Sequence, residues 1–303
     1  MKIDVFVCTN EVNYTVAVSG ELSMRPRPAL VLYDPVRSDR RRVRGAWQRP
    51  FRPRLYRVVR LLAWLRLLGT AYIPHHRFEP RLLRELRQAP RIAYLDDGLD
   101  TLRRVPNNFD ADVLGRADPA PHGREPYLTF REHQALPQWL EPFDVQPVCS
   151  IRELAHTGHK PIIDLAGIDH VFVESPGLDP EGLMGALGID PRRALCVRHP
   201  VPHKRGPLPA QCRSVDGRGH DLEATMLAAR SLNFYFGSTM TLVFALLTGG
   251  AQRNRIFVQL DDAQRDNLLL PGRFDVVSGA VLRHPLMEVR ADTMAADPSV
   301  LAA

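Results

Sequence analysis

A chain of 303 residues is long enough for two ordinary domains or one large one. Hydrophobic residues make up 45% of it and charged residues 24%, which is typical of a globular protein. The longest apolar stretches are residues 61–73, interrupted by Arg66, and the short run 240–247. Both fall short of the roughly 20 residues that a bilayer-spanning helix needs, so we expect no transmembrane anchor.

The N-terminus and the cysteines point to a reducing compartment. Residues 1–7 form a short β-like run without a basic region or a long apolar region, which argues against a secretory signal. The four cysteines are widely spaced and form no C-x-x-C pair, so neither a structural zinc site nor a disulfide framework is indicated. We therefore expect a cytoplasmic protein with reduced thiols.

Positive charge is concentrated in one segment. The formal net charge is +6, and arginines cluster with aromatic residues between residues 37 and 60. One interpretation is a solvated loop and helix face. The other is contact with an anionic surface, such as a phosphate-rich polymer or the inner membrane, since arginine pairs well with phosphate and aromatic side chains anchor at interfaces. For the membrane contact the candidate residues are Arg40, Arg41, Arg42 and Arg44. We expect no nucleic-acid partner.

The first half of the chain alternates between strand and helix patterns. Strands are predicted at residues 3–8, 29–33, 71–73 and 91–95, with helices at 53–68 and 79–88. This alternation indicates a parallel α/β sheet. Irregular composition at 118–126 and again at 142–161 predicts a domain boundary near residue 160.

The second half repeats the alternation. Strands are predicted at 170–174, 194–198, 233–236, 255–259 and 274–277, with helices at 180–187, 222–229 and 239–247. The sequence therefore predicts two α/β domains, residues 1–160 and 161–303, facing each other across a cleft.

A first candidate site follows the predicted strand at 91–95. This apolar strand runs into Asp96, Asp97 and Gly98. Ligands of open α/β sheets bind outside the carboxyl ends of strands, and glycine permits the tight turn that would aim an acid there. Either carboxylate could serve as a general base. The alternative is an ordinary strand-to-loop turn, which Asp and Gly favour regardless of function.

A second candidate follows the strand at 194–198. It ends in Arg198, His199 and Pro200, and the proline would hold the chain extended just after the histidine. Such a histidine can donate to a phosphate or protonate a leaving oxygen near neutral pH. The alternative is a surface histidine in a loop that also contains His203.

A third candidate follows the strand at 233–236. Gly237 frees a turn, and Ser238 or Thr239 can cap the next helix, whose first amides would bind a single phosphate. Many β-to-α junctions begin in the same way. Upstream, Glu223 could accept hydrogen bonds from ribose hydroxyls or simply favour the first turn of its helix. Walker and G-x-G-x-x-G patterns are absent, so P-loop and nicotinamide chemistry lose support.

Taken in chain order, these motifs resemble the series found in bacterial sialyltransferases and polysialyltransferases. The residues that carry the resemblance are Asp96-Asp97-Gly98, His199-Pro200, Glu223 and Ser238-Thr239, within residues 90–245. The resemblance implies a GT-B glycosyltransferase fold of two Rossmann-like domains. It also implies an acceptor-binding N-terminal domain that carries the acidic motif and a C-terminal domain that binds a CMP-sugar.

The resemblance also implies a role for each motif. Asp96, or else Asp97, would be the general base that deprotonates the acceptor hydroxyl, and His199 would assist departure of the CMP phosphate. Glu223 would bind the cytidine ribose. The residues expected at the donor are Gly98, Pro200, Glu223, Gly237, Ser238 and Thr239. Attack from the face opposite CMP would invert the anomeric centre, by the geometric logic of inverting glycosidases.

The function predicted from the sequence is therefore transfer of sialic acid, or a related nonulosonic acid, from its CMP-activated form to a glycan hydroxyl. The CMP-sugar is a substrate, and neither a metal nor another cofactor is expected. Two alternatives stay open. One is a GT-B enzyme for a UDP- or GDP-sugar, whose diphosphate would use basic groups near His199. The other is a non-catalytic basic protein that binds nucleic acid or an anionic surface.

Overall fold

A computed structural model describes residues 2–25, 27–35, 43–52, 55–74, 78–97, 125–131, 143–156, 160–175, 178–199, 201–237, 254–259, 273–278 and 286–290. The chain divides into two compact units, Met1–Leu154 and Ala155–Ala303. The sequence had placed the division near residue 160. Among the described residues, each unit contains a sheet of seven strands.

The sheet of the first unit is parallel throughout. Its strands are β1 (Ile3–Cys8), β2 (Ala29–Tyr33), β3 (Ala46–Pro50), β4 (Leu68–Ile73), β5 (Arg91–Leu95), β6 (Pro126–Phe130) and β7 (Asp144–Cys149). They lie in the order β3-β2-β1-β4-β5-β6-β7. The order reverses between β1 and β4, as in a Rossmann-like sheet.

Helices connect these strands. Helix α1 (Glu11–Thr15) continues through a π-helical stretch, Val16–Glu21, into α2 (Leu22–Met24). The crossover helices are α3 (Tyr56–Trp64) and α4 (Pro80–Leu86), and a 3-10 helix spans Ile151–His156. Strands β1 and β2 are buried along their whole length, which is why β2 is a continuous apolar run and β1 is apolar except for Asp4, and neither strand alternates. On one face, Val59 of α3 and Leu82, Leu83 and Leu86 of α4 complete the core.

The sheet of the second unit is mixed. Its strands are β8 (His170–Val173), β9 (Ala194–Arg198), β10 (Arg213–Asp216), β11 (Asn233–Phe236), β12 (Arg255–Gln259), β13 (Arg273–Ser278) and β14 (Leu286–Arg290), in the order β10-β9-β8-β11-β12-β14-β13. The first five in this order are parallel, and β14 is antiparallel to both of its neighbours. The order reverses between β8 and β11, which repeats the arrangement of the first unit.

Two helices and three short turns complete the description of this unit. They are α5 (Pro180–Leu187), α6 (Leu222–Ala228), and 3-10 helices at Pro191–Arg193, Pro202–Lys204 and Gly217–Gly219. The four cysteines are free thiols, and all except Cys212 are buried. Burial raises the pKa of the Cys196 thiol to about 12. No helix among the described residues has the length and apolarity to cross a bilayer.

The α/β class and most predicted elements of the described regions are confirmed, with β1, β2, β5, β9 and β12 matching to the residue. The prediction of an irregular region at 142–161 is wrong, because β7 lies inside it. Pro147 and polar residues mask this strand in the sequence, and the sheet tolerates the proline because β7 is an edge strand. The predicted helix at 53–68 ends early, at Trp64, because Arg66 adopts a left-handed conformation before β4. The predicted helix at 239–247 lies outside the described residues.

Candidate functional site

The strand order identifies one edge of each sheet as the place for a ligand. In open parallel sheets, ligands bind beyond the carboxyl ends of strands where the order reverses. In the first unit this point lies between β1 and β4, next to β5, which ends directly before Asp96. In the second unit it lies between β8 and β11, and the neighbouring β9 ends directly before His199.

Asp96 is anchored inside the first unit. Its residue is fully buried, at 0% exposure. The Thr129 hydroxyl on β6 donates to its Oδ2, and its own backbone N–H donates to the Leu128 carbonyl at 2.8 Å. Asp96 therefore continues the pairing of β5 with β6, and its carboxylate faces the protein interior.

Asp97 is held differently and is partly exposed. Its Oδ1 accepts hydrogen bonds from Nδ2 of Asn10 at 2.6 Å and from Nδ2 of Asn13 at 2.7 Å. Both asparagines lie just beyond β1, at the start of α1. Asn10 and Asn13, after β1, are thus hydrogen-bonded to Asp97, after β5, across the point where the strand order reverses.

A capping box fixes the orientation of these two amides. The backbone N–H of Asn10 donates to Oδ1 of Asn13, and the backbone N–H of Asn13 donates to Oδ1 of Asn10, both at 3.1 Å. Because each side-chain oxygen receives a backbone proton, each NH₂ group is directed elsewhere, and both reach Asp97. Of the two adjacent acids, Asp97 is the one whose residue contacts solvent, so it is the more accessible candidate for a general base.

The histidine of the second unit has a defined tautomer. The backbone N–H of Val201 donates to Nδ1 of His199 at 3.0 Å, so a neutral ring carries its proton on Nε2. The backbone N–H of His199 donates to Oε2 of Glu174 at 2.8 Å. The partly exposed ring can therefore present Nε2–H as a donor to an incoming oxygen.

Glu174 holds the loop that contains His199 through hydrogen bonds and an ion pair. It follows β8 directly, and its side chain is only 2% exposed. Besides the His199 amide, its carboxylate accepts the Gly206 N–H at 2.6 Å and pairs with Nε of Arg198 at 3.2 Å. Nη2 of Arg198 donates in turn to the Gly206 carbonyl at 2.8 Å. One buried carboxylate thereby fixes both ends of the segment 199–206.

A second arginine ties the same loop to β10. Nε of Arg205 donates to the His199 carbonyl at 2.7 Å, and its Nη2 donates to Oδ2 of Asp216 at 2.8 Å. The backbone N–H of Arg218, and next the Arg205 guanidinium, lower the pKa of Asp216 below its ordinary value. The guanidinium groups of Arg198 and Arg205 thus donate hydrogen bonds to backbone carbonyls of this loop.

Glu223 is the second residue of α6. The N-cap of this helix is Asp221, whose carboxylate accepts the Ala224 N–H at 2.7 Å. Because α6 connects the parallel strands β10 and β11, it runs against them and begins on the carboxyl side of the sheet. Glu223, which is partly exposed, therefore lies on the side of the sheet from which His199 emerges.

Several predicted residues fall outside the described part of the chain. These are Gly98, Pro200, Ser238 and Thr239 at the candidate sites, and Arg40, Arg41 and Arg42 of the basic segment. Gly237 directly follows β11, and Arg44 lies in the turn before β3. Two predicted residues, Asp96 and Asp97, lie at the carboxyl ends of the strands in the first unit. Three others, His199, Glu223 and Gly237, lie on the carboxyl side of the sheet in the second unit.

Sequence reasoning missed the residues that hold the predicted ones in place. These are Asn10, Asn13, Thr129 and Glu174. Ser175 was also missed: it follows Glu174 at the reversal point and is 4% exposed, and its hydroxyl has no hydrogen-bond partner within the part of the chain that the structure describes. A signal for three of them was available, because Asn10, Glu174 and Ser175 are polar residues placed just after apolar strands.

Within the described ranges, no three His, Cys, Asp or Glu side chains are grouped so as to hold a metal ion. No protein-family model matches the chain, and no curated protein matches it significantly.

Proposed function

We propose that this protein is an inverting glycosyltransferase that moves sialic acid, or a related nonulosonic acid, from CMP to a glycan hydroxyl. One observation carries the proposal. Asp97 and His199 each lie just beyond a parallel strand that neighbours the reversal point of a Rossmann-ordered sheet, one in each unit. In the GT-B arrangement that we propose, the first unit activates the acceptor and the second unit binds the donor.

The acid of the first unit would act as the general base. The acceptor hydroxyl gives its proton to the carboxylate while its oxygen attacks the anomeric carbon, and the bond from that carbon to the CMP phosphate oxygen breaks. Attack from the face opposite CMP inverts the anomeric centre. The resemblance implies Asp96 as the base, but its complete burial favours Asp97, which has access to solvent and is oriented by two amides.

His199 would assist the leaving group. Negative charge develops on the CMP phosphate as the bond breaks, and a donor already aimed at that oxygen stabilises it without reorganisation. The Val201 N–H on Nδ1 keeps the donating proton on Nε2, and Glu174 fixes the backbone of the loop. Ser238 and Thr239 complete the phosphate seat in this proposal, and Glu223 accepts hydrogen bonds from the ribose.

The contacts of the two arginines favour a donor with one phosphate. A UDP- or GDP-sugar carries two phosphates and needs either a metal or several available cations. Arg198 is engaged by Glu174 and Gly206, and Arg205 by His199 and Asp216. A single phosphate requires fewer donors than a diphosphate, which supports CMP as the nucleotide.

Transfer activity tests the proposal directly. The full chain is incubated with CMP-sialic acid and a panel of glycans, and release of CMP is followed. Asp97→Asn and His199→Ala are each expected to lower the rate about 100-fold or more. Asp144→Asn and His203→Gln, at exposed positions in the same two units, serve as controls and are expected to retain the rate. Circular dichroism verifies that each variant is folded.

The outcomes discriminate between assignments. Loss of transfer in Asp96→Asn together with full activity in Asp97→Asn would move the base to Asp96. Full activity in Asp97→Asn, Asp96→Asn and His199→Ala would remove all three residues from the mechanism.

A thermal-shift screen of CMP, UDP and GDP tests the donor separately. A nucleotide that binds only the native state stabilises it by about 2.7 kcal/mol at 100 times its Kd. We expect stabilisation by CMP. A larger effect of UDP or GDP would favour a diphosphate donor, and no effect of any nucleotide would favour the non-catalytic alternative.

A further inference from the structure

Helix α3 exposes apolar side chains on the face that points away from the core. Trp64 is 75% exposed, Leu61 52%, Leu65 47% and Val58 41%. Successive residues of a helix are rotated by about 100°, which places these four side chains on one continuous half of α3 and its last turn. The opposite half packs against the sheet through Val59, Leu62 and Ala63. The outer side of α3 therefore carries exposed apolar side chains together with the exposed Arg57 and Arg60.

An arginine-lined cavity adjoins the same helix. It has a volume of about 510 Å³ and lies between α3 and α4. Its lining residues are Tyr56, Arg57, Arg60, Arg81, Arg84 and Glu85. Four arginines against one glutamate leave three positive charges in excess. Arg57 and Arg60 belong to α3, so the apolar half and the basic cavity are parts of one surface.

This combination of groups narrows the class of partner. A free phosphate or a nucleic acid would satisfy the arginines but would offer nothing to the exposed Leu61, Trp64 and Leu65. An apolar protein groove would bury those three but would leave four arginines without counter-charges. A bilayer with anionic headgroups provides phosphates for the arginines and an apolar layer for the exposed side chains. The phosphates lie above the acyl chains, and tryptophan is favoured at the boundary between the two layers.

We propose that the outer half of α3 and the arginine cavity dock on the surface of an anionic phospholipid bilayer. Val58, Leu61, Trp64 and Leu65 enter the headgroup layer, while the guanidinium groups bind lipid phosphates, for which their planar geometry is suited. The proposal uses other residues than the predicted contact at Arg40, Arg41, Arg42 and Arg44, of which the first three lie outside the described residues. It does not depend on the proposed transferase activity.

Co-sedimentation of the full chain with vesicles tests the docking. We expect binding to vesicles of phosphatidylglycerol and phosphatidylcholine to be at least about tenfold tighter than to phosphatidylcholine alone, and to weaken with salt. The double substitution Leu61→Ser with Trp64→Ser should lower binding to anionic vesicles about tenfold or more. The matched control is Trp47→Ser on β3, another exposed tryptophan, which should bind as the unsubstituted chain does.

A fluorescence measurement reports insertion itself. Replacing Trp47 and Trp139 by phenylalanine leaves Trp64 as the single tryptophan of the chain. Its emission should shift to the blue when anionic vesicles are added. Unchanged emission, or equal binding to neutral vesicles, would overturn the proposal.

Charge substitutions separate the bilayer from other phosphate sources. Gln in place of Arg57, Arg60, Arg81 and Arg84 should abolish the preference for anionic vesicles. Duplex DNA and inorganic phosphate are tested in parallel. Binding to either one without binding to vesicles, or vesicle binding that survives loss of both Leu61 and Trp64, would also overturn the docking surface. Because the substituted side chains of α3 and α4 are exposed, melting temperatures close to that of the unsubstituted chain are expected for the serine and glutamine variants of these two helices.

Discussion

In the first unit, the strand-end carboxylate of Asp97 is held by two asparagine side chains, whereas in the second unit the carboxylate of Glu174 does the holding. Both carboxylates stand beyond parallel strands in sheets that reverse their order in the same way. In the first unit, the partly exposed carboxylate of Asp97 is therefore held by neutral amide groups. The second uses a buried acid to support a histidine.

This difference shows that topology fixes where a group stands, while the local partners decide what it does. Asp97 keeps contact with solvent while its Oδ1 accepts two amide hydrogen bonds. Glu174 is enclosed by two backbone amides and a guanidinium, and its contribution is to position His199. Three substitutions test this comparison.

Glu174→Gln is expected to have the largest effect. The change removes the charge that compensates Arg198 and turns one acceptor into a donor facing backbone N–H groups. Breaking a buried pair of this kind costs about 3–5 kcal/mol. Chemical denaturation of the full chain should detect the loss, and transfer should fall because His199 is no longer positioned. Glu181→Gln, an exposed acid in α5, is the control. Unchanged stability in Glu174→Gln would contradict the scaffold role.

Asn13→Ala is expected to have an intermediate effect. The substitution removes one donor to Asp97 and half of the capping box, and leaving such groups unsatisfied in a buried position costs about 1–3 kcal/mol. Asn13 is 0% exposed. We also expect slower transfer, because Asp97 loses half of its support. Asp179→Ala removes the N-cap of α5 in the second unit, whereas Asp97 belongs to the first. It should cost about 1 kcal/mol and leave transfer unchanged. An equal loss of transfer in both variants would refute a specific role for Asn13.

The smallest effect is expected at His170, at the start of β8. Burial lowers the pKa of this histidine below 6.5. Asp169 raises the pKa and Arg193 lowers it further, but burial has the largest effect. Nδ1 of His170 lies 3.0 Å from the Tyr235 hydroxyl. The folded state therefore binds the proton less readily than the unfolded chain does. Its contribution to stability is present above pH 6.5 and decreases as the pH falls through the interval down to the folded pKa.

Thermal melting between pH 8 and pH 5 checks this sign. His170→Gln should show a smaller fall in melting temperature than the unsubstituted chain. A steeper fall in His170→Gln would mean that the charged ring is favoured in the folded state.

The sequence predicted well whatever is encoded by short, continuous patterns. β1, β2, β5 and β9 are mostly apolar runs followed by or ending in polar residues, and buried parallel strands have this appearance. The positions of Asp96, Asp97 and His199 at strand ends follow from the same runs. β7 was missed because Pro147 and its polar neighbours contradict the pattern, and only an edge position permits them.

The sequence by itself determined the α/β class and the strand ends at which the candidate acids and the histidine stand. Hydrophobic periodicity and turn residues act locally, so they can be recognised without knowledge of the fold. Only the tertiary structure decided which hydrogen bonds hold these residues. Asn10 and Asn13 donate to Asp97, Thr129 donates to Asp96, and Glu174 accepts from the backbone of His199. These contacts join residues between 25 and 87 positions apart, and strand order and register, which bring them together, depend on the packing of the whole sheet.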